Sequence, residues 1–163
     1  MPIMNRRVHA VVAMLAGVLV VMAIAGPIGA ASPESVTLVS HVTFNPDGPN
    51  YGDFDASGDA VDTGLICGSG TFVDTGIRFA GYQSDRGIVQ LQVVKEFTCD
   101  DGTGTFVVKL QIQADFDTGI ESFTWVVLSG TGEYRSLHAS GSGSTVPNAP
   151  IGNINTYEGF VLN

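Results

Sequence analysis

The sequence predicts an all-β domain in which about eight antiparallel strands close into a barrel or stack as a sandwich. Three observations carry this reading. From Val36 onward, apolar and polar side chains alternate at period two in one stretch after another, the pattern of a strand with one buried face. Turn-forming clusters separate these stretches: "NPDGPN" at 45–50, "SDRG" at 84–87, "DDGTG" at 100–104, "DTG" at 117–119 and "VPNAP" at 146–150. Beyond residue 31, nothing has the length and 3.6-residue period of a long helix.

The chain opens differently. Arg6 and Arg7 precede sixteen residues, Ala10 to Ala25, without a polar side chain; Pro27 breaks the run, and Gly29 and Ala31 come after it at an A-x-A-like spacing. A basic start, an apolar centre and a small-residue site form a secretory signal peptide, residues 1–31, with the mature domain covering 32–163. An uncleaved anchor is the competing reading, but sixteen residues fall short of the roughly 20 that span a bilayer core. The protein is therefore expected to be secreted, with no stable membrane insertion after cleavage. Taking Arg6 and Arg7 from seven basic residues, against 16 acidic ones, leaves a charge of about −11. So acidic a chain repels phosphate backbones and anionic lipid, which excludes nucleic acid as a partner. Solubility outside the cell accounts for the charge.

The elements are taken in chain order. Val36–Phe44 sets Val36, Leu38, Val42 and Phe44 against Thr37, His41 and Thr43. A short strand is expected between Gly52 and Asp62, and a longer one over Gly70–Ala80. "IVQLQVVKEFTC", from Ile88, aligns Val89, Leu91, Val93, Phe97 and Cys99 on one side. The clearest alternation is Thr105–Phe116, with Phe106, Val108, Leu110, Ile112, Ala114 and Phe116 opposite Lys109, Gln111, Gln113 and Asp115. Shorter patterns cover Phe123–Ser129, Glu133–Ser140 and Thr156–Leu162. Cys67 and Cys99 are the two cysteines, and an even number in an oxidising compartment reads as a disulfide. Without nearby histidines they fall short of a tetrahedral metal set. "CGSGTFV" at 67 and "CDDGTGTFV" at 99 echo each other, and one unit used twice would put both cysteines at equivalent strand ends.

Few residues carry a chemical signature. The glycines of "SGTGEYRSLHASGSG", 129–143, lack the lysine of a phosphate loop, and Arg135 stands where a dinucleotide fingerprint needs glycine. No G-x-S-x-G elbow occurs. His41 and His138, the only histidines past the leader, sit on polar strand sides and are not read as catalytic. Asp53, Asp55, Ser57 and Gly58 match the start of a calcium loop, but Gly64 replaces its closing glutamate. That run is read as strands bending at Gly58 with aspartates in water, and no metal or cofactor is expected. Asp74 and Arg78, four apart, are expected to share a face, and Glu96 lies opposite Leu91 and Phe97. If that face lines a barrel cavity, these three and Tyr134 are its polar groups; burial statistics favour the surface.

"WVVLSGTGEYRSL" followed by "ASGSG" resembles the strand–turn–strand signature of the allene oxide cyclase and dirigent barrels. Trp125, Gly130, Thr131, Gly132, Tyr134, Leu137, Gly141 and Gly143 carry the resemblance, and Ala139 departs from it by replacing the first of the expected glycines. "FDASGDAVDTGLIC" and "FTCDDGTGTF" are similar to exported bacterial proteins of that type. The resemblance implies an eight-stranded antiparallel β-barrel, allene oxide cyclase-like, with an apolar cavity and often trimeric, which leaves homo-oligomerisation open. The cyclases' catalytic residues do not map onto this chain, so no catalytic residue is assigned. The expected role is binding a small apolar ligand, or an extracellular structural one. Cyclase or isomerase chemistry in the cavity and a self-associating interaction module are the alternatives. A binder predicts an interior lined by groups such as Leu110, Ile112 and Trp125 with few titratable residues; an isomerase predicts a buried carboxylate or tyrosine facing the cavity.

Overall fold

Side chains that alternate at period two can bury one face only if the sheet finds a partner, and here it closes on itself. The computed structural model describes residues 32–85, 87–115, 120–148 and 150–162; residues 1–31, where a signal peptide is expected, Phe116 and the "DTG" turn lie outside the described residues. Eight strands run up and down in chain order: β1 (Glu34–Thr43), β2 (Tyr51–Ser57), β3 (Ser69–Gln83), β4 (Ile88–Cys99), β5 (Thr105–Asp115), β6 (Ile120–Gly130), β7 (His138–Pro147) and β8 (Gly152–Leu162). Each pairs antiparallel with the next, and β8 pairs with β1, so the barrel is closed. Closure pairs nearly every strand edge that would otherwise invite association.

Two strands differ from expectation. Glu133–Ser140 is not one strand: Gly132–Ser136 forms a 3-10 turn, and β7 starts at His138. The inward positions of β7 include Gly141 and Gly143, so it lacks the apolar row that marks its neighbours. The glycines are there because the chains approach closely: a Cβ on Gly143 would lie 2.3 Å from the Phe123 ring and 2.3 Å from the Thr156 carbonyl oxygen. Gly143→Ala is expected to destabilise the barrel by about 1–3 kcal/mol through overpacking, read as a lowered midpoint in urea; an unchanged midpoint would contradict this contact. The acidic run folds as β2 followed by a one-turn helix, Asp59–Asp62, entered through Gly58 at φ 113°.

The two ends of the barrel are unlike. At the end where β1 begins, the interior is full. Phe97 stacks on Phe106 at 5.0 Å and meets Phe54 edge-on at 5.1 Å, while Tyr157 meets Phe123 at 4.9 Å. Such pairs contribute about 0.5–1.5 kcal/mol each beyond their burial. Tyr134, on the 3-10 turn, closes this end against Phe106 and shares a 2.6 Å hydrogen bond with Thr103. The Cys67–Cys99 disulfide is formed here too. Cys99 ends β4 while Cys67 lies in the loop before β3, so the repeated Cys–Gly–Thr–Phe–Val segments do not put their cysteines at equivalent strand ends.

At the other end the strands are unequal. β2 pairs with β3 only up to Val73, while the β3–β4 pairing continues to Gln83 and Ile88. The hairpin therefore overhangs the opening. Two register shifts, between Asp74 and Gly76 and between Phe79 and Gly81, let its alternation change parity twice. Ile77, Phe79 and Tyr82 pair with Val93, Leu91 and Val89 and thus face the barrel side, yet all three are exposed because no strand covers them.

Candidate functional site

Inside the open end, four adjacent strands present polar side chains at one level. Glu121 on β6 is registered with Thr145 on β7, Thr145 with Asn155 on β8, and Asn155 with Ser40 on β1. Directly opposed residues share a sheet face, so this ladder crosses half the inner wall. Thr145 donates a 2.9 Å hydrogen bond to Asn155 Oδ1. Burial pushes the Glu121 carboxyl above the usual carboxylate range, with Thr145 opposing the shift. Tyr157 lies one inward step beyond Asn155, and burial raises its phenol strongly.

The facing wall carries a charge pair. Asp74 and Lys95 are opposed across β3 and β4, and the Lys95 ammonium donates to Asp74 Oδ1 at 2.6 Å with both side chains 4% exposed. Asn50 donates to Asp74 Oδ2 at 3.0 Å, and Lys95 Nζ stands 4.4 Å from the Phe72 ring centre. Desolvation lowers the lysine pKa, while the charge and hydrogen bond of Asp74 pull it upward.

Between these walls lies a cavity of about 190 Å³. Asn50, Asp74, Lys95, Glu121, Thr145, Asn153 and Asn155 supply its polar lining; Val42, Phe44, Ile77, Leu91, Val93 and Ile112 supply the apolar part. Among the described residues, three buried polar atoms in the barrel, Ser40 Oγ, Asn153 Oδ1 and Tyr157 Oη, have no hydrogen-bond partner. Of the three, Asn153 lines the cavity, while Ser40 and Tyr157 lie deeper in the interior. Ser40 and Asn155 are close enough to influence the Tyr157 phenol, but neither meets hydrogen-bond geometry with it. A larger open groove of about 650 Å³ crosses β4 to β7. Its outward side chains are uncharged Gln90, Gln92, Gln111, Gln113, Ser122 and Thr124, so it offers neither charge nor enclosure.

Of the four polar residues that the sequence marks as cavity candidates, Asp74 alone enters the cavity. The register shift after Asp74 puts Arg78 opposite Gln92 on the outer face, so the two do not share a face. Glu96 pairs with Val73 and Val107 on the outer side, and Tyr134 is buried at the closed end. Leu110, Ile112 and Trp125 do face inward, but Leu110 and Trp125 are part of the filled core. The aspartates of the 53–62 run are spread out: Asp53 pairs with His41 at 3.0 Å and Asp59 accepts from Ser35 at 2.9 Å. Among the described residues no group of three or more metal-ligating side chains comes together.

Sequence reasoning misses Lys95, Glu121, Asn155 and Ser40, although a signal for two of them is present. Lys95 interrupts the apolar row Leu91, Val93, Phe97, and Ser40 interrupts Val36, Leu38, Val42. A polar residue on the buried side of an alternation is the informative exception. Compared with protein-family models and with curated proteins, the chain matches none.

Proposed function

We propose that this is an exported small-molecule-binding barrel that takes a small, uncharged, amphipathic ligand into its open end. The observation that carries the reading is Asn153 Oδ1, a buried acceptor without a partner on the wall of a part-apolar cavity, with Ser40 Oγ and Tyr157 Oη unpartnered deeper in the barrel among the described residues. Buried hydrogen-bonding groups without partners are costly. A ligand hydroxyl donating to Asn153 Oδ1 would relieve that cost at the wall, and a ligand carbonyl or hydroxyl reaching deeper would accept from Ser40 Oγ or Tyr157 Oη. The ligand's apolar part would lie against Phe44, Ile77, Leu91 and Ile112, with Phe79 and Tyr82 extending the apolar surface outward. Charge selects against anions: Asp74 and Lys95 compensate each other, Glu121 adds a further carboxyl to the lining, and the chain as a whole is acidic. At about 190 Å³ the cavity is smaller than the roughly 300 Å³ at which drug-sized pockets begin, so the enclosed portion is of fragment size.

The resemblance to allene oxide cyclase and dirigent barrels supports a cavity-centred role. The buried carboxylate that cyclase or isomerase chemistry requires is present, since Asp74 and Glu121 both line the cavity beside Lys95, and this favours that alternative as the second reading. The cyclases' own mechanism is not carried over, because none of their catalytic residues maps onto this chain. Calorimetric titration with 2-octanone, octane and octanoate tests the reading. Saturable heat is expected for 2-octanone, with octane and octanoate each at least about tenfold weaker, the first for want of an acceptor and the second for its buried charge. No heat with any of the three, or octanoate binding tightest, would overturn it.

A further inference from the structure

A lysine inside a barrel is ordinarily half of a structural ion pair, and Lys95 meets that description through Asp74. Its position adds something more. The ammonium is 2.6 Å from a carboxylate that can take its proton, and both groups line a cavity that opens to solvent under the overhanging hairpin. The other lysine, Lys109, pairs with Val94 and Val126 on the outer face. Taking two charges out of water is costly, so passing the proton from Lys95 to Asp74 leaves a neutral amine beside a neutral acid in an environment suited to both. A desolvated amine beside a proton acceptor is the arrangement that makes lysine a nucleophile toward carbonyl carbon.

We infer that Lys95 is a Schiff-base site and that the ligands of the cavity include small aldehydes or ketones, held covalently and reversibly. The inference rests on the small-molecule-binding reading and names its ligand class. Asp74 takes the ammonium proton, and the freed amine attacks the carbonyl carbon. The nitrogen proton passes to the carbonyl oxygen, giving a carbinolamine. Asp74 then returns its proton to the departing hydroxyl, which leaves as water while the nitrogen lone pair forms the C=N bond. One carbonyl compound is consumed and one water released, with no oxidant or reductant. The product is an iminium cation beside the Asp74 carboxylate, so the charge pair that began the reaction is restored at its end. The desolvation that lowers the Lys95 pKa favours the amine the first step needs.

The test is reductive trapping of the full mature protein with hexanal and cyanoborohydride at neutral pH, followed by intact mass and peptide mapping. One hexyl group on Lys95 is expected, forming at least about tenfold faster than on the outward-facing Lys109, because the cavity holds the aldehyde against a desolvated amine. Saturating 2-octanone should slow labelling at Lys95 and leave Lys109 unchanged. Lys95→Arg keeps a cation for Asp74, so it preserves the fold by circular dichroism while losing the cavity adduct. Adducts on Lys109 and the chain terminus, with Lys95 unmodified, would overturn the Schiff-base site. Saturable 2-octanone heat in that case leaves the binding reading standing, and its absence removes both.

Discussion

Replacing Asp74 alone with alanine is expected to destabilise the barrel by about 3–5 kcal/mol at neutral pH, the cost of leaving a buried charge without its partner. Lys95 is 3% exposed and Asp74 6%, so solvent cannot screen the loss. Asn50 would lose its acceptor at Asp74 Oδ2 as well. The deficit should depend on pH in a determined direction. In the variant the lysine keeps its desolvation and loses both interactions that raise its pKa, so its folded pKa falls further below the ordinary 10.5. The unfolded chain then binds more protons than the folded one across that interval, and stability rises with pH toward 10.5. The deficit relative to the parent protein is therefore largest at neutral pH and shrinks in alkali. Asp74→Leu combined with Lys95→Met should recover most of the loss, because an apolar pair of similar volume avoids the desolvation of two ions. Urea denaturation of the parent, both single variants and the double variant completes the cycle. A single variant within about 1 kcal/mol of the parent would mean that the pair is solvated and the cavity floor wet.

The second large effect belongs to the disulfide. Cys67 and Cys99 are 32 residues apart and enclose the whole β3–β4 hairpin, including the overhang above the mouth. In the chain-entropy model a loop of that size restricts the unfolded chain enough to stabilise by roughly 3–4 kcal/mol. The double substitution Cys67→Ala, Cys99→Ala is expected to lower the free energy of unfolding by about that amount. Both positions are buried in the hydrophobic core, and alanine is smaller than cysteine, so it should fit without strain. The hairpin is also held by its pairing with β5 and β2, so the substituted chain is expected to keep the barrel, with unchanged far-ultraviolet circular dichroism and an earlier urea midpoint. A loss below about 1 kcal/mol would place the stabilisation in the strand pairing and not in the link.

Period and composition alone determined the fold class of this protein. The alternation in Thr105–Phe116 and Ile88–Cys99 requires strands with one buried face, and the turn clusters require them to be short and antiparallel. Two cysteines, one on the apolar side of its strand, were enough to expect the link. Only the tertiary structure decided where the site lies, because a cavity is made by strands that are remote in sequence. Glu121, Thr145, Asn155 and Ser40 become one ladder through the register of β6, β7, β8 and β1, and closure of β8 on β1 brings the last pair together. Asp74 and Arg78 were separated for a related reason: one extra residue at a register shift reverses every later side chain, and simple alternation does not record it. Gly76 and Gly81, one after each irregularity, are the only trace of those shifts in the chain, since glycine within a strand marks such places. The unequal lengths of β2 and β3 leave Ile77, Phe79 and Tyr82 as the exposed lip of the mouth. Burial depends on what stands opposite, and a strand's own sequence does not say what that is.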